Sequence, residues 1–371
     1  MSSRIFIITG EPSGDLHGSN LVKELKRQNP GSVIQCWGGD KMKAAGADVV
    51  KHIDELAFMG FIEVLANLRT ILRNFKLCEE QIKAFQPDLV VLVDYPGFNL
   101  RMAKKIHLMG IKTAYYISPQ IWAWKESRVN QIKRFIDHVF VILPFEKAFF
   151  KKHGVEAEYV GHPLLDEIKL IQPNRSDFLK KHAIQEGQKL IAVLPGSREQ
   201  ELNKILPVVK KVAAANKQYH FAISKVAWLE KSLYGDLPLN ASFVEGDTYD
   251  LLKLSQAAIV TSGTATLETA LLKTPQVVVY KANWLSVLIA RNLVKIKYIS
   301  LVNLIMDKLV VQELIQSDAN ASRISEVLTS ILPGGSTHAS ILDEYDQLAE
   351  KLGGEGASSI VANRLLKIAD K

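Results

Sequence analysis

The sequence predicts an α/β protein built in two halves, each wound around a mainly parallel sheet. Three observations lead there. Short apolar runs alternate with amphipathic stretches along the chain, which is the pattern of βαβ units. Several of the runs are apolar at every position; Leu89-Val-Val-Leu-Val93 reads as a strand covered on both faces. The chain has 371 residues, more than the roughly 250–300 at which one hydrophobic core stops growing, so two domains are expected.

Taken in order, the first half offers strands at 4–9, 33–37, 89–93, 113–117, 138–142 and 156–160. From 161 to 188 the chain turns polar and carries Pro163, Pro173 and Asn174, which makes this stretch the expected boundary. The pattern then restarts with strands at 189–194, 219–224, 257–261 and 276–280. The repetition is architectural, with no sequence repeat behind it. The tail is helical in pattern but broken by Gly353-Gly354-Glu-Gly356. The expected domains are therefore 1–165 and 166–344, with a last helix from about 345 to 371 crossing back onto the first.

Composition narrows the class. With 47% hydrophobic and 23% charged residues, the chain has no collagen-like, mucin-like or disordered signature. Cys36 and Cys78 are too few for a disulfide framework, and they lack metal-ligand spacing. A reducing, cytoplasmic compartment is expected, since the start Met1-Ser-Ser-Arg-Ile-Phe-Ile-Ile-Thr-Gly10 reads as a strand and not as a signal peptide. No window reaches the roughly 18 apolar residues of a spanning helix, so any membrane contact is expected to be peripheral. The net charge of +7 favours an anionic partner: nucleic acid, a phosphorylated substrate or an acidic lipid surface.

Four loops that follow strand candidates carry the chemistry, because ligands bind beyond the carboxyl ends of strands in open α/β sheets. Gly10-Glu-Pro-Ser-Gly-Asp15 precedes a helix expected to start near Leu16. It lacks the dinucleotide fingerprint, and it reads either as a cleft loop or as a plain turn capped by Ser13 or Asp15. Asp94-Tyr-Pro-Gly-Phe-Asn99 places a carboxylate at the end of the most apolar strand. Asp94 is the candidate general base, or else a cap for the following helix. Pro195-Gly196-Ser197-Arg198 joins backbone N–H groups at a helix start to an arginine, an anion site suited to a diphosphate; alternatively Arg198 pairs with Glu201. Ser262-Gly263-Thr264-Ala-Thr-Leu-Glu268 allows close backbone approach, and Glu268 either holds the hydroxyls of a ribose or is an interior polar residue of an ordinary helix.

Together these motifs resemble those of glycosyltransferase family 19, the lipid A disaccharide synthases, which have the GT-B architecture of two Rossmann-like domains facing a central cleft. The resemblance covers nearly the whole chain. It also rests on Phe58-Met-Gly60 followed by Glu63-Val64, on Ser118-Pro-Gln-Ile-Trp-Ala-Trp124 and on Leu143-Pro-Phe-Glu146. It implies inverting transfer of 2,3-diacylglucosamine from its UDP carrier to 2,3-diacylglucosamine 1-phosphate, giving a β-1,6-linked disaccharide phosphate and UDP. It further implies that Asp94 is the base, that Arg198 with the N–H groups after Pro195 and Ser262 meets the charge on the departing UDP, and that Asn303 lies near the nucleotide sugar. No cofactor and no metal are implied. Two positions depart from the family pattern: Gly97 stands where relatives often carry Asp, and Val302 where they carry Pro.

The partners implied are the acylated UDP-sugar, the acylated sugar phosphate and an anionic inner-membrane surface, with no nucleic acid and with a homodimer left open. Basic amphipathic stretches at 65–75 and 285–296, the latter with Arg291, Lys295 and nearby Lys297, suit either a membrane surface or core packing. Trp122 and Trp124 suit an acyl or sugar pocket or domain packing, and His17 and His162 a hydrogen-bonding role as readily as catalysis. Rival readings are another GT-B enzyme acting on UDP-N-acetylglucosamine, of the muramyl-peptide transferase or 2-epimerase type, and a non-catalytic two-domain binding protein.

Overall fold

The computed structural model describes residues 3–56, 68–124, 126–169, 171–226, 228–282 and 297–370. Phe58-Met-Gly60, Glu63-Val64, the start of the first amphipathic stretch at 65–67, and the stretch 285–296 with Arg291 and Lys295 lie outside the described residues. So does the side chain of Trp124. The chain divides into two compact units, Met1–Asp166 with Gly354–Lys371, and Glu167–Gly353.

In the first unit, the described strands are β1 (Arg4–Ile8), β2 (Val33–Gly38), β3 (Asp48–His52), β4 (Leu89–Val93), β5 (Lys112–Tyr116), β6 (His138–Val141) and β7 (Ala157–Tyr159). They form one sheet in the order β3-β2-β1-β4-β5-β6-β7. Pairing is parallel throughout, with Ile5 facing Ile34 on one side and Leu89 on the other. Residue alternation sorts the side chains between two cores. Phe6, Ile8, Val90 and Leu92 point to one face, where they meet Phe75, Cys78 and Ile82 of the helix Leu68–Phe85 and Met102 and Ile106 of the helix Pro96–Leu108. Ile5, Ile7, Leu89, Val91 and Val93 point to the other, against Leu21, Val22 and Leu25 of the helix Pro12–Gln28. Val361, Ala362 and Leu365 of the last helix, Ala357–Ala369, complete that second core.

The tail therefore closes the first unit. Its helix packs beside Pro12–Gln28, and Gln28 Nε2 donates to the Ser359 carbonyl at 2.9 Å while Arg364 pairs with Glu158 at 2.8 Å. The return begins later than about 345. The helix His338–Lys351 stays with the second unit, where Tyr345 and Leu348 are buried and the Gln276 amide reaches the Tyr345 hydroxyl at 3.3 Å. The crossing is made at the glycines, and Gly353 (φ 76°) and Gly356 (φ 97°) adopt the left-handed backbone that other residues avoid.

The second unit has described strands β8 (Leu190–Leu194), β9 (His220–Lys225), β10 (Ala241–Glu245), β11 (Ala257–Thr261), β12 (Gln276–Tyr280) and β13 (Glu313–Ile315), ordered β10-β9-β8-β11-β12-β13 and all parallel. In both units the strand order reverses beside the first strand, between β1 and β4 and between β8 and β11. The turns after these four strands therefore diverge and leave a crevice at each reversal. All four loops singled out in the sequence follow these four strands.

A helix that starts at Pro12, four residues earlier than expected, changes the role of Asp15. The carboxylate lies inside the first turn, 5% exposed, and accepts from the N–H groups of Gly39 (2.7 Å), Lys41 (3.1 Å) and Met42 (3.1 Å). It thus caps the neighbouring helix Asp40–Ala44 and not its own. A Cβ at Gly39 would stand 2.7 Å from Asp15 Oδ2, so glycine is needed for the approach. Asp15→Ala is expected to lower the unfolding free energy by about 2–4 kcal/mol, since three buried N–H groups lose a charged acceptor. Urea denaturation of the full chain measures it, and a loss below about 1 kcal/mol would show that the cap contributes little.

Candidate active site

The first-unit site is built on a strained turn. Asp94 and Tyr95 both have positive φ, 46° and 47°. This is a costly conformation for two successive non-glycine residues and persists only where surrounding contacts impose it. Those contacts are present. The fully buried Asn99 amide donates to the Asp94 carbonyl at 2.8 Å, and the Tyr115 hydroxyl donates to the same oxygen at 2.6 Å. The Tyr95 ring stacks towards Phe98 and covers Gly10 so closely that a Cβ there would lie 2.4 Å from it. Gly10 and Asp94, the residues closing β1 and β4, are in this way locked together.

The turn leaves the Asp94 carboxylate out of the helix: the N-cap of Pro96–Leu108 is Tyr95, and no side chain caps it. Burial pushes the Asp94 carboxyl up to about 6, the Glu11 charge adds to the rise, and His17 and the Tyr95 N–H oppose it. An ionisable group tuned towards neutrality at a strand end is the expected character of a proton acceptor. Ser13 lies exposed on the first helical turn nearby in sequence. His162 is buried, its Nδ1 accepts from Leu164 N–H at 3.3 Å, and burial followed by the charge of His17 holds it at about 3, so it is neutral.

Glu146 is a second buried carboxylate, 1% exposed, which sequence reasoning treated only as part of a motif. It accepts from Leu143 N–H (2.9 Å), Ile142 N–H (3.2 Å), Trp122 Nε1 (3.2 Å) and Ser118 Oγ (3.4 Å). It therefore joins the loop after β5 to the loop after β6. Burial raises it to about 7, against those donors.

In the second unit the anion loop is organised by Glu201. Gly196 has φ 111°, and a Cβ there would fall 2.5 Å from Glu201 Oε2. The Glu201 carboxylate accepts from Ser197 N–H at 3.1 Å and pairs with Arg198 at 3.2 Å, back-bonding across the start of the helix Glu199–Ala215. Arg198 is 77% exposed, so this pairing is weak and leaves the guanidinium exchangeable. The surface pairing weighed in the sequence is the one observed.

Beyond β11, Gly263 and Thr264 are exposed, while the Ser262 hydroxyl donates to the Ile299 carbonyl at 2.7 Å. Glu268 is half-buried in the first turn of the helix Ala265–Leu271, and its charge raises the Tyr249 hydroxyl after burial has done so. Its charge therefore lies near the helix Thr248–Leu254, which follows β10. Asn303, expected beside the nucleotide sugar, is fully buried with its amide engaged. Its Nδ2 donates to Val311 O (2.9 Å) and Glu313 (2.8 Å), and its Oδ1 accepts from Val310 N–H (2.8 Å) and Val311 N–H (3.0 Å). Glu313 also takes the N–H of Ser300 at 2.9 Å. Asn303 thus helps to hold Glu313, which takes the N–H groups of Ile299 and Ser300, and the Ile299 carbonyl is the one that Ser262 donates to. No signal in the sequence distinguished this interior role from ligand contact.

Both family departures have local explanations. Gly97 is exposed in the first turn of its helix, with open space where a Cβ would stand, and Val302 occupies the first turn of Leu301–Met306, where a missing N–H costs nothing.

A family model described as "Lipid-A-disaccharide synthetase" matches residues 5–362. A protein of Syntrophus aciditrophicus named lipid-A-disaccharide synthase is 38% identical over 381 residues, covering 100% of this chain and 99% of that one. Among solved structures, the UDP-GlcNAc 2-epimerase of Neisseria meningitidis bound to UDP-GlcNAc superposes with TM-score 0.69 at 15% identity, covering 99% of this chain and 100% of that chain. The glycotransferase of kitacinnamycin does so with TM-score 0.68 at 14% identity, covering both chains fully. A transferase and an epimerase share this fold, so the architecture is of the GT-B class and does not by itself choose the reaction.

Gly97→Asp and Val302→Pro are each expected to leave the fold intact, with Gly97→Asp gaining about 0.5–1 kcal/mol from helix propensity and the helix dipole. Val302→Pro should stay within about 1 kcal/mol of the parent. Thermal unfolding compares them; a loss above about 2 kcal/mol in either would contradict the local account.

Proposed function

The chain belongs to the lipid-A-disaccharide synthetase family, and from that premise we propose that Asp94 is the base of its transfer reaction and Gly196–Arg198 the grip on the departing diphosphate. The protein is a glycosyltransferase: it transfers 2,3-diacylglucosamine from its UDP carrier to 2,3-diacylglucosamine 1-phosphate, forming the β-1,6-linked disaccharide 1-phosphate and UDP. Its substrates are thus a UDP-sugar donor and a sugar acceptor.

The observation that carries the assignment is the Asp94 turn. Asp94 takes the proton of the acceptor 6-hydroxyl as that oxygen attacks the anomeric carbon. An α-linked donor giving a β product needs one displacement, so no sugar becomes attached to the protein. Negative charge grows on the UDP oxygen as the bond breaks. Arg198 and the N–H of Ser197, both released from Glu201, then meet that charge. Glu268 orients the ribose, while Ser262, Gly263 and Thr264 allow the backbone close to the sugar nucleotide. This charge stabilisation needs no metal and no cofactor.

The acyl chains of both substrates favour a protein held at a membrane surface. Among the described residues no helix is long and apolar enough to cross a membrane. The helix Leu68–Phe85 exposes Arg69, Leu72, Arg73 and Lys76 along one stripe, a basic face with an apolar centre that supports peripheral attachment to an anionic inner leaflet.

Incubation with the acylated donor and acceptor, followed by mass spectrometry, should yield the disaccharide phosphate. Asp94→Asn should reduce turnover at least 100-fold, about 2.7 kcal/mol of barrier, with UDP binding retained; a drop under about tenfold would remove Asp94 from the role of base. A base works ionised, so kcat/KM should fall about tenfold per unit below pH 6 and level off above it. The stability effect has the opposite sense. The folded value of about 6 lies above the ordinary 3.8, so the ionised carboxylate weighs against the fold above pH 6, and that cost vanishes as pH falls towards 4. Asp94→Asn should therefore be more stable than the parent at pH 7.5 and equal to it near pH 4. For the membrane reading, raised salt should release the protein from anionic vesicles, and partitioning that ignores salt would refute an electrostatic attachment.

A further inference from the structure

We propose that Trp228 is the stacking platform for the nucleobase of the sugar nucleotide, an inference that rests on the UDP-binding role given above to Gly196–Arg198 and Glu268. Trp228 stands in the loop after β9 and is 53% exposed, one of the few large apolar side chains left in solvent among the described residues. It is also held in place. Its Nε1 donates to the Ser197 carbonyl at 3.0 Å, so the indole is tied to the very loop whose N–H face takes the diphosphate. An exposed indole fixed by its one polar atom leaves its π-faces for a planar ligand, and every nucleobase has such a face.

The direction of the nucleotide agrees with this position. The diphosphate lies over the end of β8, at Gly196–Arg198. Glu268 comes from the helix after β11, and its charge is near enough to Tyr249, in the helix Thr248–Leu254 after β10, to raise that hydroxyl, so the two helices approach on the side of the sheet where β9 and β10 lie. A ribose held by that carboxylate carries its base to the same side, where Trp228 stands. The end of β9 before it is held: Val226 N–H donates to the Tyr234 hydroxyl at 3.2 Å, Tyr234 is buried, and Lys225 pairs with Glu245 at 3.2 Å. Trp228 is thus a binding residue for the donor, with no part in bond making.

The test measures dissociation constants for UDP and for inorganic pyrophosphate by calorimetry, in the parent, Trp228→Ala and Trp228→Phe, with circular dichroism to check folding. Trp228→Ala should weaken UDP about tenfold or more and leave pyrophosphate unchanged. Trp228→Phe, which keeps an aromatic face but loses the bond to Ser197, should weaken UDP less than about threefold. In turnover, Trp228→Ala should raise KM for the donor with kcat nearly unchanged, as a uniform binding contact does. UDP affinity within twofold of the parent in Trp228→Ala overturns the proposal. Equal weakening of UDP and pyrophosphate, or equal loss in the Ala and Phe variants, also overturns it, because the indole would then serve only to hold the Ser197 loop. A parent protein that binds neither UDP nor pyrophosphate would instead overturn the functional reading beneath it, a result visible before any variant is measured.

Discussion

Parallel pairing of β1 with β4, and of β8 with β11, joins strands whose onward connections leave in opposite directions. A parallel sheet buried on both faces has no other place where backbone can open to a ligand, because helices cover its faces and pack its core. The ladder registers Ile8–Leu92 and Val260–Leu194 put the ends of these strands level with one another. Gly10 then meets Tyr95 in the first unit, and the small residues after Leu194 and Thr261 keep the second crevice open. The assignments of Asp94, Gly196–Arg198 and Ser262–Thr264 depend on these two reversals.

Carboxylates do most of the organising around them. Asp15, Glu146, Glu201 and Glu313 each accept hydrogen bonds from backbone N–H groups of a neighbouring segment, and so turn loops into fixed frames. Such bonds spend the acceptor capacity of the group on structure. Asp94 differs. Its carbonyl is the atom that Asn99 and Tyr115 hold, while the carboxylate, which takes the Tyr95 N–H, is raised chiefly by burial and then by the Glu11 charge. The same residue type thus serves as a clamp where its oxygens are occupied and as a base where the backbone is clamped instead.

The interior strands were legible because burial on both faces writes a continuous apolar run into the sequence; β4, β11 and β12 fall where the pattern puts them. β3, β10 and β13 were not. All three lie at sheet edges and are half-exposed, so they carry neither a continuous run nor a clean alternation. Site residues divide in a similar way. Asp94 and Gly196–Arg198 announce themselves by following apolar strands, and Glu201 by its helical spacing from Arg198, whereas Trp228 and Tyr249 enter only through contacts between segments distant in the chain. Asn303, polar and in a recognisable motif, has its amide engaged within the unit by Val310, Val311 and Glu313, contacts that the motif does not spell out.

The sequence by itself determined the two-unit α/β plan, the loops that carry chemistry and the family, because hydrophobic periodicity and short motifs are local properties of the chain. Tertiary structure alone decided that the tail returns at Gly353–Gly356, that Asp15 caps a helix other than its own, and that Glu146 joins the loops after β5 and β6. Each of these depends on which of several equally polar neighbours a side chain can reach once the strands are paired, and residue order does not encode that distance.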